Sequence, residues 1–597
     1  MKKDTHFKIT NITFLISLAL KNSPGFFALE ALSGILMGIF TSADVIFAKY
    51  FFEALDQKKD ISYVLILLFI MITVAFAHQL WFQTYRNCVR PIYHQTLQTR
   101  LNCSFFEHAR NLDLSYYENS EFYNNFLWAM SQSDIQISTL LQMISNIFTM
   151  IVSIIITTSI MISVSHLLLI VAVITSLFTV VLQRLNSKNN YLFNRELNPI
   201  TRKQKYYERL FHTSEYSKEL RMSKIANVLN DNYTDTLLQE RKVTEEYNIK
   251  GNRFRIPLKL SSKLMQPFIY ICLLLNAMWN GDNAILGIAV TYTAFWNLRG
   301  RIQAVMDLMV RVGEMSLYAD KIRGFLEMKP IIKTGNRVLD HIYEVDSEKV
   351  SFGYSMQKEV LHQVDIKAKK GQKIAIVGYN GSGKSTFIKL LTRLYQPMSG
   401  AIKYNGQTIN TYEKESFKNK VGVIFQDYRL YALSISENIM CDAESSIDNI
   451  IVPKALDSVS FELESSRFKN GIHTELTKEF AEDGVNLSGG ESQKIAISRL
   501  FAHNFELIVL DEPSASLDAV AEYDLMKKLD DISSDKTIII VSHRLSTTKK
   551  ADMIYMFESG TIIESGSHSD LMELNGKYAE MFNLQAAKYK INYYDDE

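Results

Sequence analysis

Lys373-Ile374-Ala375-Ile376-Val377-Gly378-Tyr379-Asn380-Gly381-Ser382-Gly383-Lys384-Ser385-Thr386 is an apolar strand running into G-x-x-x-x-G-K-S, followed by the helical run Phe387-Ile388-Lys389-Leu390-Leu391. Strand before and helix after is the context that a phosphate loop requires. Its glycines let backbone N–H groups close around phosphates, and the new helix points its positive end at them. Lys384 is expected to neutralise the β and γ phosphates and Ser385 to coordinate Mg²⁺. Gly378, Tyr379, Asn380, Gly381, Ser382, Gly383, Lys384, Ser385 and Thr386 are thus candidates for holding ATP.

Working outward, Val350-Ser351-Phe352-Gly353-Tyr354 is a short strand ending in an aromatic, and Tyr354 offers a flat face for adenine. Leu507-Ile508-Val509-Leu510-Asp511-Glu512 supplies the carboxylates: Asp511 for Mg²⁺, directly or through water, and Glu512 to polarise the attacking water. A general base helps by about 10²- to 10⁴-fold. Gln426, after Val421-Gly422-Val423-Ile424-Phe425, can reach both Mg²⁺ and that water. His543, after the strand Lys536–Val541, can stabilise charge developing on the γ phosphate. Leu487-Ser488-Gly489-Gly490-Glu491 adds a second anion site, made of a hydroxyl, glycine N–H groups and a helix start, with no phosphate loop of its own.

A chain of 597 residues is too long for one core. Its 65 basic and 64 acidic residues give no bias toward nucleic acid. The two halves differ: long apolar runs recur up to about Asp320, whereas the chain beyond Lys349 reads as soluble. Cys88, Cys103, Cys272 and Cys441 lack the spacing of a disulfide framework or zinc site. The first residues, with Lys2 and Lys3, lack a cleavage site and fit an interfacial elbow rather than a signal peptide.

Spanning a bilayer takes roughly 20 apolar residues per helix. Six stretches qualify, near 24–50, 60–85, 138–162, 167–184, 262–279 and 284–308. The turns at 163–166 and 280–283 carry no Lys or Arg, whereas the connections bearing Arg86, Arg90, Arg100 and Arg110, and Lys188, Arg253 and Arg255, are basic. Those basic connections are expected in the cytoplasm, with both termini, in a bacterial plasma membrane. They are too long for loops and are expected to continue the spans as helices, turning near Leu114–Tyr123 and Tyr206–Phe211. These aromatic runs either dock on another domain or pack helix against helix. Glu30 and Asp44, one helical face apart by four turns, and Arg299, Arg301 and Asp307 either line a polar pathway or sit at helix ends.

In this order and combination the motifs resemble those of the ATP-binding cassette (ABC) exporter half-transporters, over nearly the whole length. Tyr354 resembles the adenine-stacking loop, Gly378 to Thr386 the Walker A motif, Gln426 the Q-loop and Leu487 to Glu491 the signature. Asp511 and Glu512 resemble the Walker B pair, Ser516-Leu517-Asp518 the D-loop and His543 the switch histidine. The resemblance implies an α-helical six-span membrane domain followed by an α/β P-loop NTPase domain of the ABC type. The expected division is an elbow at 1–22, a membrane domain at 23–325, a linker at 326–345, a nucleotide-binding domain at 346–590 and an acidic tail at 591–597.

It also implies two such chains facing head to tail, a homodimer or a pair with a related half-transporter, each ATP held by one Walker A and the other's Ser488, Gly489 and Gly490. The aromatic runs would be coupling helices. Cargo follows less directly. Fusion of spans and ATPase favours export, and Tyr117–Tyr123 is similar to the first coupling segment of bacterial exporters of modified antimicrobial peptides. An N-terminal peptidase domain is not expected, so a peptide cargo would be trimmed elsewhere. Drug or lipid export is the alternative, and a membrane-anchored regulatory ATPase is the rival of another class. Glu491 departs from the family, which mostly has Gln there: its charge either slows hydrolysis or points away from the nucleotide.

Overall fold

The computed structural model describes residues 9–118, 120–164, 166–213, 216–280, 284–355, 358–442, 450–463, 466–513, 517–533, 535–544 and 548–591. Two compact units result: Met1–Asn111 with Ser120–Met328, and Leu112–Asn119 with Lys329–Glu597.

The first unit is helical. Ile9–Asn22 is followed by Pro24–Asp56, whose proline sits at the position where a missing N–H costs nothing. Ile61–Thr84 continues through a π-helical step, Tyr85–Val89, into Arg90–Asn111. Ser120–Val164, His166–His212, Ile225–Asn280 and Ala284–Leu326 are the four longest helices. Each expected span lies in one of these helices, and the basic connections are helical continuations of the spans. Among the described residues, Pro24–Leu55, Ile61–Asn111 and Ile135–Ile162 are long and apolar enough to cross a membrane.

Small residues permit a close helix contact in this unit. A Cβ on Gly34 would lie 2.3 Å from the Ser145 carbonyl oxygen, and one on Gly38 would lie 2.7 Å from Cβ of Val152. Glycines four apart let two helix backbones approach as apolar side chains would not. Polar bonds then form across the seam: Thr149 Oγ1 donates to the Gly34 carbonyl at 2.9 Å, and the Ser42 hydroxyl donates to Ser153 Oγ at 3.1 Å.

The charged residues of the spans fall into distinct settings. Glu30 is buried and paired with Arg90 at 2.9 Å, whereas Asp44 is exposed, so the two do not share an environment. Arg299 is buried with its guanidinium over the Trp296 ring, 5.1 Å from the centroid. The Asp307 side chain lies outside the described residues. The second turning point is the short helix Ser217–Met222. Tyr206–Phe211, expected near that turn, forms the last turns of the helix that ends at His212.

The second unit holds two sheets. Strands β1 (Glu344–Phe352), β2 (Leu361–Lys369), β4 (Ser399–Tyr404) and β5 (Gln407–Thr408) pair antiparallel in the order β2-β1-β4-β5. Strands β3 (Lys373–Gly378), β6 (Val421–Ile424), β7 (Leu507–Asp511), β8 (Thr537–Val541), β9 (Met553–Glu558) and β10 (Thr561–Gly566) form the order β10-β9-β3-β8-β7-β6. All neighbours in this second sheet are parallel except β9 and β10. Strands β3, β7 and β8 are buried throughout, which their unbroken Ile, Val and Leu runs require.

Leu112–Asn119 belongs to this unit although the helices on either side of it do not. Leu114 packs against the core that includes Phe352 and Tyr395. Asp113 accepts from the N–H groups of Ile331 and Ile332, the latter at 3.2 Å, and the Tyr116 hydroxyl donates to the Lys329 carbonyl at 3.0 Å. The first aromatic run is therefore divided: Leu114 and Tyr116 bond and pack within this unit, whereas Phe122 is buried against Phe126 and Phe325 of the helical unit.

Candidate nucleotide site

Ligands in open parallel sheets gather at the carboxyl ends of the strands. Strand β3 delivers Gly378 to that edge, β7 delivers Asp511 and Glu512, β8 precedes Ser542 and His543, and β6 precedes Gln426. The loop after β3 turns through Gly378, Gly381 and Gly383 at φ of +147°, +77° and +104°. A Cβ at Gly378 would lie 2.2 Å from the Phe557 carbonyl oxygen, and one at Gly383 would lie 2.6 Å from Leu361 Cδ2. Gly383 caps the helix Lys384–Leu391, whose first turn carries Ser385 and Thr386.

Lys384 is buried, and its Nζ donates to the carbonyls of Gly378 and Tyr379 at 2.9 Å each, arching over the loop. Burial lowers its pKa, against the pull of Glu512 and Asp511. Asp511 is raised by burial, opposed by a hydrogen bond from Ser385. Two buried oxygens here, Asp511 Oδ1 and Ser382 Oγ, have no hydrogen-bond partner among the described residues. Orphaned polar atoms beside a cradle that excludes side chains fit Mg²⁺ and a phosphate chain. Ser385 and Asp511 would hold the metal, which supplies charge neutralisation at the phosphates.

Glu512 is clamped on both carboxylate oxygens. Gln426 Nε2 donates to Oε2 at 2.9 Å, and His543 Nε2 contacts Oε1. Its φ of +53° is left-handed, and its N–H is fixed on the Val541 carbonyl at 3.0 Å. Backbone strain of this kind persists only where surroundings enforce it and clusters at functional sites. The three residues expected to do chemistry are thus one connected group.

Tyr354 is 45% exposed, with its hydroxyl 3.1 Å from Thr386 Oγ1. Its ring packs edge-on against Tyr395, centroids 5.5 Å apart, and the Lys389 ammonium lies 5.4 Å from its centroid. A partly open ring fixed to the helix behind the phosphate loop has the setting that base stacking needs.

Ser488 caps the helix Gly489–Ala502 in a reciprocal box with Glu491. The Ser488 N–H donates to Glu491 Oε2 at 2.7 Å and the Glu491 N–H to Ser488 Oγ at 3.2 Å. Arg467 donates to the other carboxylate oxygen of Glu491 at 2.8 Å and to the Asn486 carbonyl at 3.1 Å. Burial works against this carboxylate, yet the Ser488 N–H and hydroxyl and Arg467 together hold its pKa below the usual range. Glu491 is therefore turned back onto its own helix cap and neutralised. Leu517 is buried and Asp518 caps the helix Ala519–Ile532, while Ser516 lies outside the described residues.

Three residues here carry no motif signal. Arg467 stands far ahead of the signature in a loop with no pattern, and only the unusual Glu491 hints at a cation nearby. Tyr428, two residues past Gln426, donates to the Gly489 carbonyl at 3.1 Å, and Gln493 donates to the Pro513 carbonyl at 2.6 Å. These bonds tie the signature helix to the loop after Gln426 and to the strand end bearing Glu512.

Fold and site together define a P-loop nucleotide-binding domain fused to a helical unit with helices of membrane length. Residues 361–515 match the ABC transporter family. The chain is 27% identical to the subtilin transport ATP-binding protein of Bacillus subtilis over 88% of this chain and 86% of that protein. It is 33% identical to the beta-(1-->2)glucan export ATP-binding/permease protein of Agrobacterium fabrum over 51% of each. Matches to several relatives thus span about half of their length or less. The fold is that of a bacterial Atm1-family ABC exporter with ATP bound, at a TM-score of 0.77 and 22% identity, covering 94% of this chain and 98% of that one. The segment 361–515 thus carries the ABC transporter family match, and the chain as a whole has the fold of an ABC exporter.

Proposed function

We propose that this chain is one half of an ATP-driven exporter. Two copies, or one copy and a related half-transporter, close on ATP and Mg²⁺, and hydrolysis reopens them. Glu512 polarises the attacking water, Gln426 reaches toward water and metal, and His543 steadies the charge that develops on the phosphoryl group. Ser488, Gly489 and Gly490 present a helix N-terminus to the phosphates bound by the other chain. The observation that carries this reading is the clamp on Glu512 by Gln426 and His543 at the edge that also bears the phosphate loop.

Cargo would move from the cytoplasm or inner leaflet outward across the cell membrane, with both termini cytoplasmic. A modified peptide is the favoured cargo, because similarity to a protein named for subtilin transport extends over 86% of that protein. A drug or lipid is the alternative. Inverted vesicles containing the purified protein should accumulate cargo with ATP, and Glu512→Gln should stop this while ATP still binds. Full turnover by that variant would remove the role given to Glu512, and ATP hydrolysis without movement of any peptide, dye or lipid would favour an anchored ATPase.

A further inference from the structure

The helices Ser120–Val164 and Ala284–Leu326 line a cavity of about 300 Å³ in the helical unit. Arg301 and Arg311 come from the second helix, and Gln142 and Asn146 from the first. Met143 and Leu308 provide an apolar stretch of the lining. Arg301, Ala304, Leu308 and Arg311 recur at intervals of three and four, so one helix face carries both cations.

Neither arginine has an ion-pair partner among the described residues. Arg90 in the same unit contrasts with them: Glu30 neutralises it, and its Nη2 donates to Gln142 Oε1 at 3.4 Å. That bond occupies the Gln142 oxygen and leaves its amide N–H groups as donors. Among the described residues the lining thus offers two guanidinium groups without an ion-pair partner, amide donors and no carboxylate. Arg301 falls inside the sixth expected span, where a charge is kept only against a cost, which marks it for function.

We propose that this cavity is a cargo subsite for an acidic peptide segment, whose carboxylates meet Arg301 and Arg311. Ten helical residues separate the two cations by about 15 Å. About four to five extended residues cover that distance. A single phosphate or lipid headgroup reaches one end only, whereas a peptide with spaced carboxylates and apolar residues between them matches both the cations and Met143 and Leu308. The positive charge of the two guanidinium groups supplies the selectivity for carboxylate over amide. This assignment rests on the export reading but not on hydrolysis.

The test is nucleotide-free binding by the full-length protein in nanodiscs. The probes are a fluorescein-labelled pentapeptide with glutamate at both ends and leucine between, and its glutamine twin. The glutamate peptide should bind about tenfold more tightly or better, the scale of one charge-assisted bond. Raising salt from about 50 to about 500 mM should erase most of that preference. Arg301→Gln with Arg311→Gln should abolish it, and Arg301→Lys with Arg311→Lys should keep most of it, which also controls for folding. Equal affinity for the two peptides, or a preference surviving the double Gln change, overturns the proposal. So does displacement of the peptide by equimolar inorganic phosphate, which would indicate a small-anion site, or a preference that vanishes when phosphatidylglycerol is left out of the nanodiscs, which would indicate a lipid site. Failure of Glu512→Gln to stop hydrolysis would leave this result untouched, so the two readings fail separately.

Discussion

Arg467 donates to Glu491 at 2.8 Å on one carboxylate oxygen while the Ser488 N–H donates to the other at 2.7 Å, so the charge beside the signature serine is matched on both sides. Arg467→Ala should leave that carboxylate uncompensated at a helix start meant for phosphate. A partly exposed pair of this kind is worth up to about 1 kcal/mol, so the ATP concentration for half-maximal hydrolysis should rise roughly two- to fivefold. Adding Glu491→Gln should restore it, because Gln still closes the capping box. ATPase titrations of the single and double variants check this; an unrelieved defect in the double variant counts against charge matching.

The same pair has a pH signature. The Glu491 pKa is depressed in the folded chain, so its contribution is present above the ordinary carboxylate range and lost as pH falls through the depressed value. The melting temperature of the nucleotide-binding unit, compared between the parent and Glu491→Gln, should differ by a constant amount near neutral pH. The difference should shrink in acid, and one that grows in acid would have the wrong sign.

Gly378→Ala and Gly383→Ala should each disrupt the phosphate loop. Each places a Cβ against Phe557 or Leu361 at a φ that side chains rarely adopt. Destabilisation of about 1–3 kcal/mol is expected, with loss of ATP binding. Isothermal titration with ATP and thermal melting report the two effects separately.

Glu512→Gln should lower hydrolysis by about 10²- to 10⁴-fold while ATP still binds. His543→Ala removes one of the two groups that clamp Glu512 and should lower turnover more than ATP affinity. Single-turnover measurements with equilibrium binding distinguish this from a general folding defect.

Much of this site was legible in the chain because phosphate chemistry forces residues into short runs: the strand, glycines, lysine and serine of 373–386 lie together, as do Asp511 and Glu512. Gln426 and His543 were legible because each follows an apolar strand, and the sheet order brings those strand ends side by side. Arg467 was not, since its pairing depends on the path of a loop with no periodicity. Helix existence was plain from apolar runs, whereas the exact helix end before the second turning point was not. Nothing in Tyr206–Phe211 breaks a helix, and the actual turn at Ser217–Met222 lies in a polar stretch with no glycine or proline to mark it. The fate of Glu30 depended on Arg90, sixty residues away, which no local pattern reveals.

Sharing of each ATP between two chains, as proposed, is tested most directly by complementation. Lys384→Ala destroys the phosphate loop but spares the signature; Ser488→Arg destroys the signature but spares the loop. Each variant alone should be inactive, and co-reconstituting the two should restore ATP hydrolysis, because a mixed pair holds one intact site. No activity in the mixture, or substantial activity in either variant alone, would contradict the shared site.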